Sequence, residues 1–214
     1  MQATRILAIR HGETAWNVAT RIQGQLDIPL NETGQWQAAQ LARHLAAQEE
    51  IDAIYTSDLL RAYATAQAIG HAVDVPLQTH PGLRERGFGD FQARTFAEIE
   101  TSLPEESIRW RKRDPHWEPP GGGESLLTLR ERVLQTVNTL AAAHLGRNIV
   151  LVAHGGVMDI LYRAATRLDL QAPRTWNLTN TAVNRLLWTP QGLSLVGWAD
   201  TSHIDESARD ETTA

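Results

Sequence analysis

The 214-residue chain contains no cysteine, which excludes disulfides, thiolate nucleophiles and Cys-ligated zinc. It is almost without lysine: nineteen of its twenty basic residues are arginine, and Lys112 is the exception. It has no surplus of positive charge, the formal net charge being -5, and its basic residues are scattered, which argues against a nucleic-acid partner. No apolar run approaches the roughly 20 residues that a membrane helix needs. The opening M-Q-A-T-R with its four following apolar residues is also too short for a signal peptide, so the chain is expected to be cytoplasmic.

What is present is 42 % hydrophobic and 21 % charged residues, enough for a real core in one domain spanning 1–200. The organising stretch is I-L-A-I-R-H-G-E-T, Ile6 to Thr14. It reads as a buried strand over 6–9 that delivers Arg10, His11 and Gly12 into a turn, with a helix capped near Thr14. In open α/β sheets, ligands bind beyond the carboxyl ends of strands, facing the next helix N-terminus. Arginine forks onto phosphate oxygens, and histidine acts as nucleophile or proton donor near neutral pH.

The same punctuation recurs along the chain. After a loop over 22–29, Trp36, Ala39, Leu41, Ala42 and Leu45 fall at helical spacing, predicting a helix over 32–48. A strand over 51–55 ends in Thr56-Ser57-Asp58. Ser57 or Asp58 is expected to cap the next helix, which carries Arg61 in its first turn. A strand over 75–79 contains Pro76 and belongs at a sheet edge. A long amphipathic helix over 124–144 precedes the strand N-I-V-L-V, which runs into Ala153-His154-Gly155-Gly156 and a helix over 157–167. Runs at 183–189 and 193–198 form a hairpin closing the sheet. Residues 81–123 break the alternation with Glu85 in a charged, Gly-containing segment and two short helices, and are expected to form a helical lid. Residues 201–214 are polar and acidic and are expected to be a flexible tail. The predicted fold is α/β, a doubly wound, mostly parallel sheet flanked by helices.

In such a sheet the ends of the central strands converge, so Arg10, His11, Arg61, Glu85 and His154 can share one pocket. Two arginines and two histidines in an acidic protein suit a phosphoryl group, with one neutral His as nucleophile and Glu85 as proton donor. No metal is needed to balance that charge. The remaining histidines, His44, His71, His80, His116 and His144, read as surface or structural, and His203 is given no role.

At these residues the sequence resembles the histidine phosphatase superfamily, which includes cofactor-dependent phosphoglycerate mutases and many phosphatases. The anchors are R-H-G-E-T from Arg10, Asn17, Gln23-Gly24, P-L-N-E-T-G-Q-W-Q-A from Pro29, and Y-T-S-D-L-L-R-A-Y-A-T-A from Tyr55. They continue with L-R-E at Leu83, G-G-E-S at Gly122 and V-A-H-G-G at Val152, covering nearly the whole chain. The resemblance implies that His11 becomes phosphohistidine. Arg10, Arg61 and His154 would hold the phosphoryl oxygens, with Asn17 and a backbone N–H near Gly155 assisting. Glu85 would protonate the leaving alcohol and then help water attack. It implies no metal or cofactor, and as partner a small phosphorylated metabolite, for a monomer or homodimer.

Mutases of this superfamily carry Thr-Gly where this chain has Gln23-Gly24, an aromatic hydroxyl where it has Phe88, and a lysine aligned with Phe96. Trp110-Arg111-Lys112 points the other way, resembling a mutase Trp-Arg-Arg, and is read here as a solvated basic face. Hydrolysis of a phosphomonoester is therefore expected. A phosphoglycerate mutase and a non-catalytic phosphate-binding protein stay open as alternatives.

Overall fold

The computed structural model describes residues 2–204. Six strands form one sheet in the order β3-β2-β4-β1-β5-β6: β1 (Thr4–Arg10), β2 (Ala53–Thr56), β3 (Leu77–Thr79), β4 (Asn148–Ala153), β5 (Val183–Thr189) and β6 (Gly192–Asp200). The first four are mutually parallel; β5 and β6 are antiparallel to their neighbours and form the expected hairpin. β3 lies at the edge, as its proline predicts, and begins just after Pro76, which has no N–H to give a ladder.

The alternation along β1 explains why it reads as an unbroken apolar run. Leu7 and Ile9 face α2 (Glu32–Gln48) and α3 (Leu60–Val73), packing with Leu41, Leu45, Ala62 and Ile69. Ile6 and Ala8 face α6 (Leu126–Ala142) and α7 (Gly155–Thr166), among Leu129, Val133, Val157 and Leu161. Helices cover both faces, so both sides of a central strand must be apolar. A separate small cluster of Ile22, Phe91, Ile99 and Trp117 forms the core of the insertion, which carries α4 (Phe96–Ser102) and α5 (Pro104–Arg111). The one-turn α1 (Ala15–Val18) is closed by the expected Thr14 cap.

Several boundaries differ from the sequence reading. The 3-10 turn Pro81–Leu83 belongs to the body rather than to the insertion, because Leu83 is buried in the core on the α6 side. Neither Ser57 nor Asp58 is the cap of α3: Asp58 is drawn into an ion pair with Arg84 (Oδ1 to Nε 2.7 Å). The Leu60 N–H is taken instead by Asp27 Oδ1 at 2.9 Å. The predicted tail starts too early, since a 3-10 turn, Ser202–Ile204, packs against α2 with His203 buried beside His44 and Thr181. Residues 205–214 of that tail lie outside the described residues. Among the described residues no helix is long and apolar enough to cross a membrane.

Candidate active site

β1 and β4 are adjacent, with Arg10 opposite Ala153, and the ladder continues one step beyond them: the His11 N–H donates to the Ala153 carbonyl at 3.0 Å. His11 and His154 are thereby set side by side past the carboxyl ends of two central strands, ring centroids 5.2 Å apart and both buried. β2 delivers the chain into α3, whose first turn brings Arg61 Nε to 3.2 Å from His11 Nε2. The three predicted strand-end groups meet as the topology requires.

The hydrogen bonds fix which nitrogen of His11 carries the proton. Nδ1 lies 2.7 Å from the Gly12 carbonyl, which can only accept, so Nδ1 is protonated. Nε2 then holds the lone pair at which the Arg61 N–H is aimed. Burial, reinforced by Arg61 and Arg10, holds His11 well below the usual imidazole range; burial, Arg61 and His11 do the same to His154. His11 is therefore a neutral imidazole whose Nε2 lone pair is oriented by the bond at Nδ1. The turn that presents it is pinned by Thr65, whose hydroxyl accepts from the Gly12 N–H (3.0 Å) and donates to the Arg61 carbonyl (2.8 Å).

Arg61 is held from behind by the loop 22–29: NH1 donates to the Leu26 carbonyl (2.8 Å) and NH2 to the Gly24 carbonyl (2.7 Å). Gly24 thus acts by positioning Arg61, from a left-handed φ of +53° that suits glycine. Burial lowers Arg61 to about 10, which leaves it charged at neutral pH. Glu85 accepts from the Arg86 N–H (2.7 Å) and, through both carboxylate oxygens, from the Gly156 N–H (3.1 Å). A Cβ at Gly156 would collide with Glu85 Oε1, so only glycine lets this carboxylate lie on the start of α7. That helix begins two residues earlier than predicted, bringing its N-terminal amides and dipole to the pocket.

Buried polar atoms are normally hydrogen-bonded. Yet Arg10 Nε and both ring nitrogens of His154 are buried beside His11 with no protein partner. The Arg10 N–H and the single N–H of the neutral His154 ring are donors open to an anion, whereas the unpartnered Gln23 Oε1 is an acceptor and is not. Asn17 spends its Oδ1 on the Thr14 N–H and hydroxyl in the cap of α1, so what it offers a ligand is its Nδ2.

Sequence reasoning missed the segment that grips the other side of this site. Asn180 Nδ2 donates to the His11 carbonyl at 2.7 Å, the Thr181 N–H to the Arg10 carbonyl at 2.9 Å, and Arg10 NH1 to the Leu178 carbonyl. The pocket opens into a cavity of about 670 Å³ lined by Glu85, Phe88, Trp110, Arg113 and Gly155 among others, a size suited to a small-molecule ligand. Trp110 lines it too, whereas Trp117 is core to the insertion, its Nε1–H donating to Glu106 at 2.6 Å. Among the described residues no three His, Asp or Glu side chains are grouped to hold a metal ion.

An α/β sheet with a cationic, histidine-centred pocket at its strand ends defines a phosphoryl-transfer enzyme, in which positioning and charge stabilisation supply most of the catalysis. The family model for the histidine phosphatase superfamily (branch 1) matches residues 6–201, and the chain belongs to that superfamily. It is 36 % identical over 204 residues to a metal-independent phosphoserine phosphatase of Arabidopsis thaliana, covering 95 % of this chain and 84 % of the relative. The phosphoglycerate mutase-like protein 4 of the same plant is also 36 % identical over 204 residues, covering 94 % and 87 %. The solved structure of a mycobacterial glucosyl-3-phosphoglycerate phosphatase superimposes with a TM-score of 0.82 at 33 % identity, covering 93 % of this chain and all of that one. The chain is a phosphatase of this superfamily, a phosphoric monoester hydrolase.

Proposed function

We propose that the protein hydrolyses small phosphomonoesters through a phosphohistidine on His11. The observation that carries this reading is the Nδ1-protonated His11, with Arg61 at Nε2 and unpartnered Arg10 and His154 atoms beside it. Nε2 attacks phosphorus while the ester oxygen leaves with the proton of the Glu85 carboxyl group. Glu85, now a carboxylate, takes a proton from the water that attacks the phosphohistidine, and inorganic phosphate departs with His11 neutral again. Arg10, Arg61, His154 and the Gly155 amide hold the phosphoryl oxygens, and Asn17 Nδ2 adds a donor. Splitting the transfer into two steps gives each a positioned nucleophile.

The insertion supports hydrolysis over phosphoglycerate transfer. Phe88 and Phe96 lie against Trp110, with ring centroids 5.7 and 4.7 Å away, where a mutase of the superfamily carries polar groups for its substrate. Arg111, which also lines the cavity, is engaged in an ion pair with Glu100 at 2.8 Å. The test is phosphate release from an aryl phosphate, with and without EDTA, for the wild type and His11→Ala. EDTA-resistant release that disappears in a folded His11→Ala is expected. Normal turnover by that variant would refute the assignment, and phosphate binding without release from the wild type would leave a binding protein.

A further inference from the structure

The G-G-E-S stretch at Gly122 stands out in the sequence, yet it contributes no residue to the cavity in front of His11. Its Glu124 instead receives Arg132 of α6 as a fork, Nε to Oε1 at 2.8 Å and NH2 to Oε2 at 2.7 Å. The same guanidinium donates through NH1 to the Gly82 and Arg84 carbonyls, both at 2.9 Å, and through NH2 to the Glu85 carbonyl at 3.4 Å. Every N–H of Arg132 is thereby spent, three of them on the backbone that carries Glu85. No backbone N–H among the described residues reaches those three carbonyls.

Glu124 closes the far end of the same segment. Its N–H donates to the Gly87 carbonyl at 2.7 Å, and its own carbonyl accepts from Arg86 Nε at 2.6 Å. Glu85 needs such support, because it lies between two 3-10 turns, Pro81–Leu83 and Gly89–Phe91, outside any regular ladder. Its carboxylate rests on the Gly156 amide of α7, and its backbone is tied to α6 through Arg132. Leu129 and Val133, on either side of Arg132 in the chain, root α6 in the core that also holds Val157 and Leu161 of α7. An irregular segment is thus fixed at both ends to two helices that pack as one body.

We propose that Arg132, held by Glu124, is a positioning residue for Glu85: it fixes the backbone from which the carboxyl group reaches the leaving oxygen. The pair is partly buried and bidentate, so it holds a defined geometry. A lysine at 132 would keep the charge but lacks the planar fork, and its three donors cannot serve Glu124 and three carbonyls together. The proposal rests on the reading of Glu85 as the proton donor.

The experiment measures kcat/KM for phenyl phosphate, whose oxygen leaves poorly without a proton, and for 2,4-dinitrophenyl phosphate, whose oxygen leaves without one. This ratio covers binding and transfer to His11 but not hydrolysis of the phosphohistidine, so it reads the leaving-group step alone. Glu85→Gln is the reference: it is expected to cost phenyl phosphate about a hundredfold and the dinitrophenyl ester far less. Arg132→Lys is expected to cost phenyl phosphate about tenfold and the dinitrophenyl ester no more than about twofold, because only the acid is displaced. Glu124→Gln is expected to show the same selective loss at smaller size, and it carries the test if Arg132→Lys does not fold. A folded variant of the pair that loses both substrates equally, or neither, overturns the positioning role and leaves Glu85 as the donor. Equal loss of both substrates in Glu85→Gln overturns the donor assignment itself, and the positioning role falls with it.

Discussion

A histidine with Nδ1–H on a backbone carbonyl and a guanidinium aimed at Nε2 has one comfortable protonation state. Protonating Nε2 would set an imidazolium against Arg61 and Arg10 in a site shielded from water, which is why both pocket histidines sit well below the ordinary imidazole range. Because the shift is downward, the neutral form is already complete at neutral pH and persists on mild acidification. The nitrogen resonances of His11 and His154 should therefore stay those of neutral imidazoles between pH 7.5 and about 5.5, well past the free value near 6.5. A midpoint at 6.5 or higher in either ring would contradict this electrostatic account. Loss of activity on the acid side should then follow the substrate, whose second phosphate ionisation lies near pH 6.

Elements made some of these groups legible and hid others. Arg10, His11, Arg61 and His154 stood out because each follows an apolar strand and opens a polar turn, and strand ends of a doubly wound sheet converge whatever their separation in sequence. Glu85 lies in an irregular segment and stood out as a carboxylate in a charged, Gly-containing turn; its placement depends on Gly156, 71 residues later. Asn180 had no local signal at all. It sits in a polar run without periodicity, and its importance exists only through a bond to a backbone carbonyl 169 positions away. The cap of α3 was misread for a similar reason, since Asp58 found Arg84 and the helix took Asp27 from another loop. The segment 178–181 makes a prediction at this scale. Asn180→Ala removes one hydrogen bond, about 1 kcal/mol in stability, yet it frees the His11 carbonyl. Small misplacements can cost on the order of a hundredfold in rate, so kcat should fall roughly ten- to a hundredfold while Tm drops only about 2–4 °C. A folded variant with wild-type kcat would show that the segment does not position His11.

Over the whole molecule, the 3-10 turn Ser202–Ile204 that packs on α2 adds a pH dependence to stability. His203 is lowered to about 4 by burial, with His44 reinforcing the shift and Asp200 opposing it. The unfolded imidazole titrates near 6.5, so between these values the unfolded chain binds the extra proton, and stability falls as pH drops from about 6.5 toward 4. Denaturant midpoints at pH 7 and pH 5 should show a smaller loss on acidification for His203→Gln than for the wild type; identical losses would mean the ring is not held neutral by the fold. The position of β1 between β4 and β5 carries a different consequence. Its partners, Asn148–Ala153 on one side and Val183–Thr189 on the other, are made more than a hundred residues after it. At about 5–20 residues per second, the ribosome releases His11 early and leaves it without a sheet to stand in for many seconds. A growing chain thus holds His11 but not its pocket, and phosphate-stripping activity waits until β4 and β5 have been made.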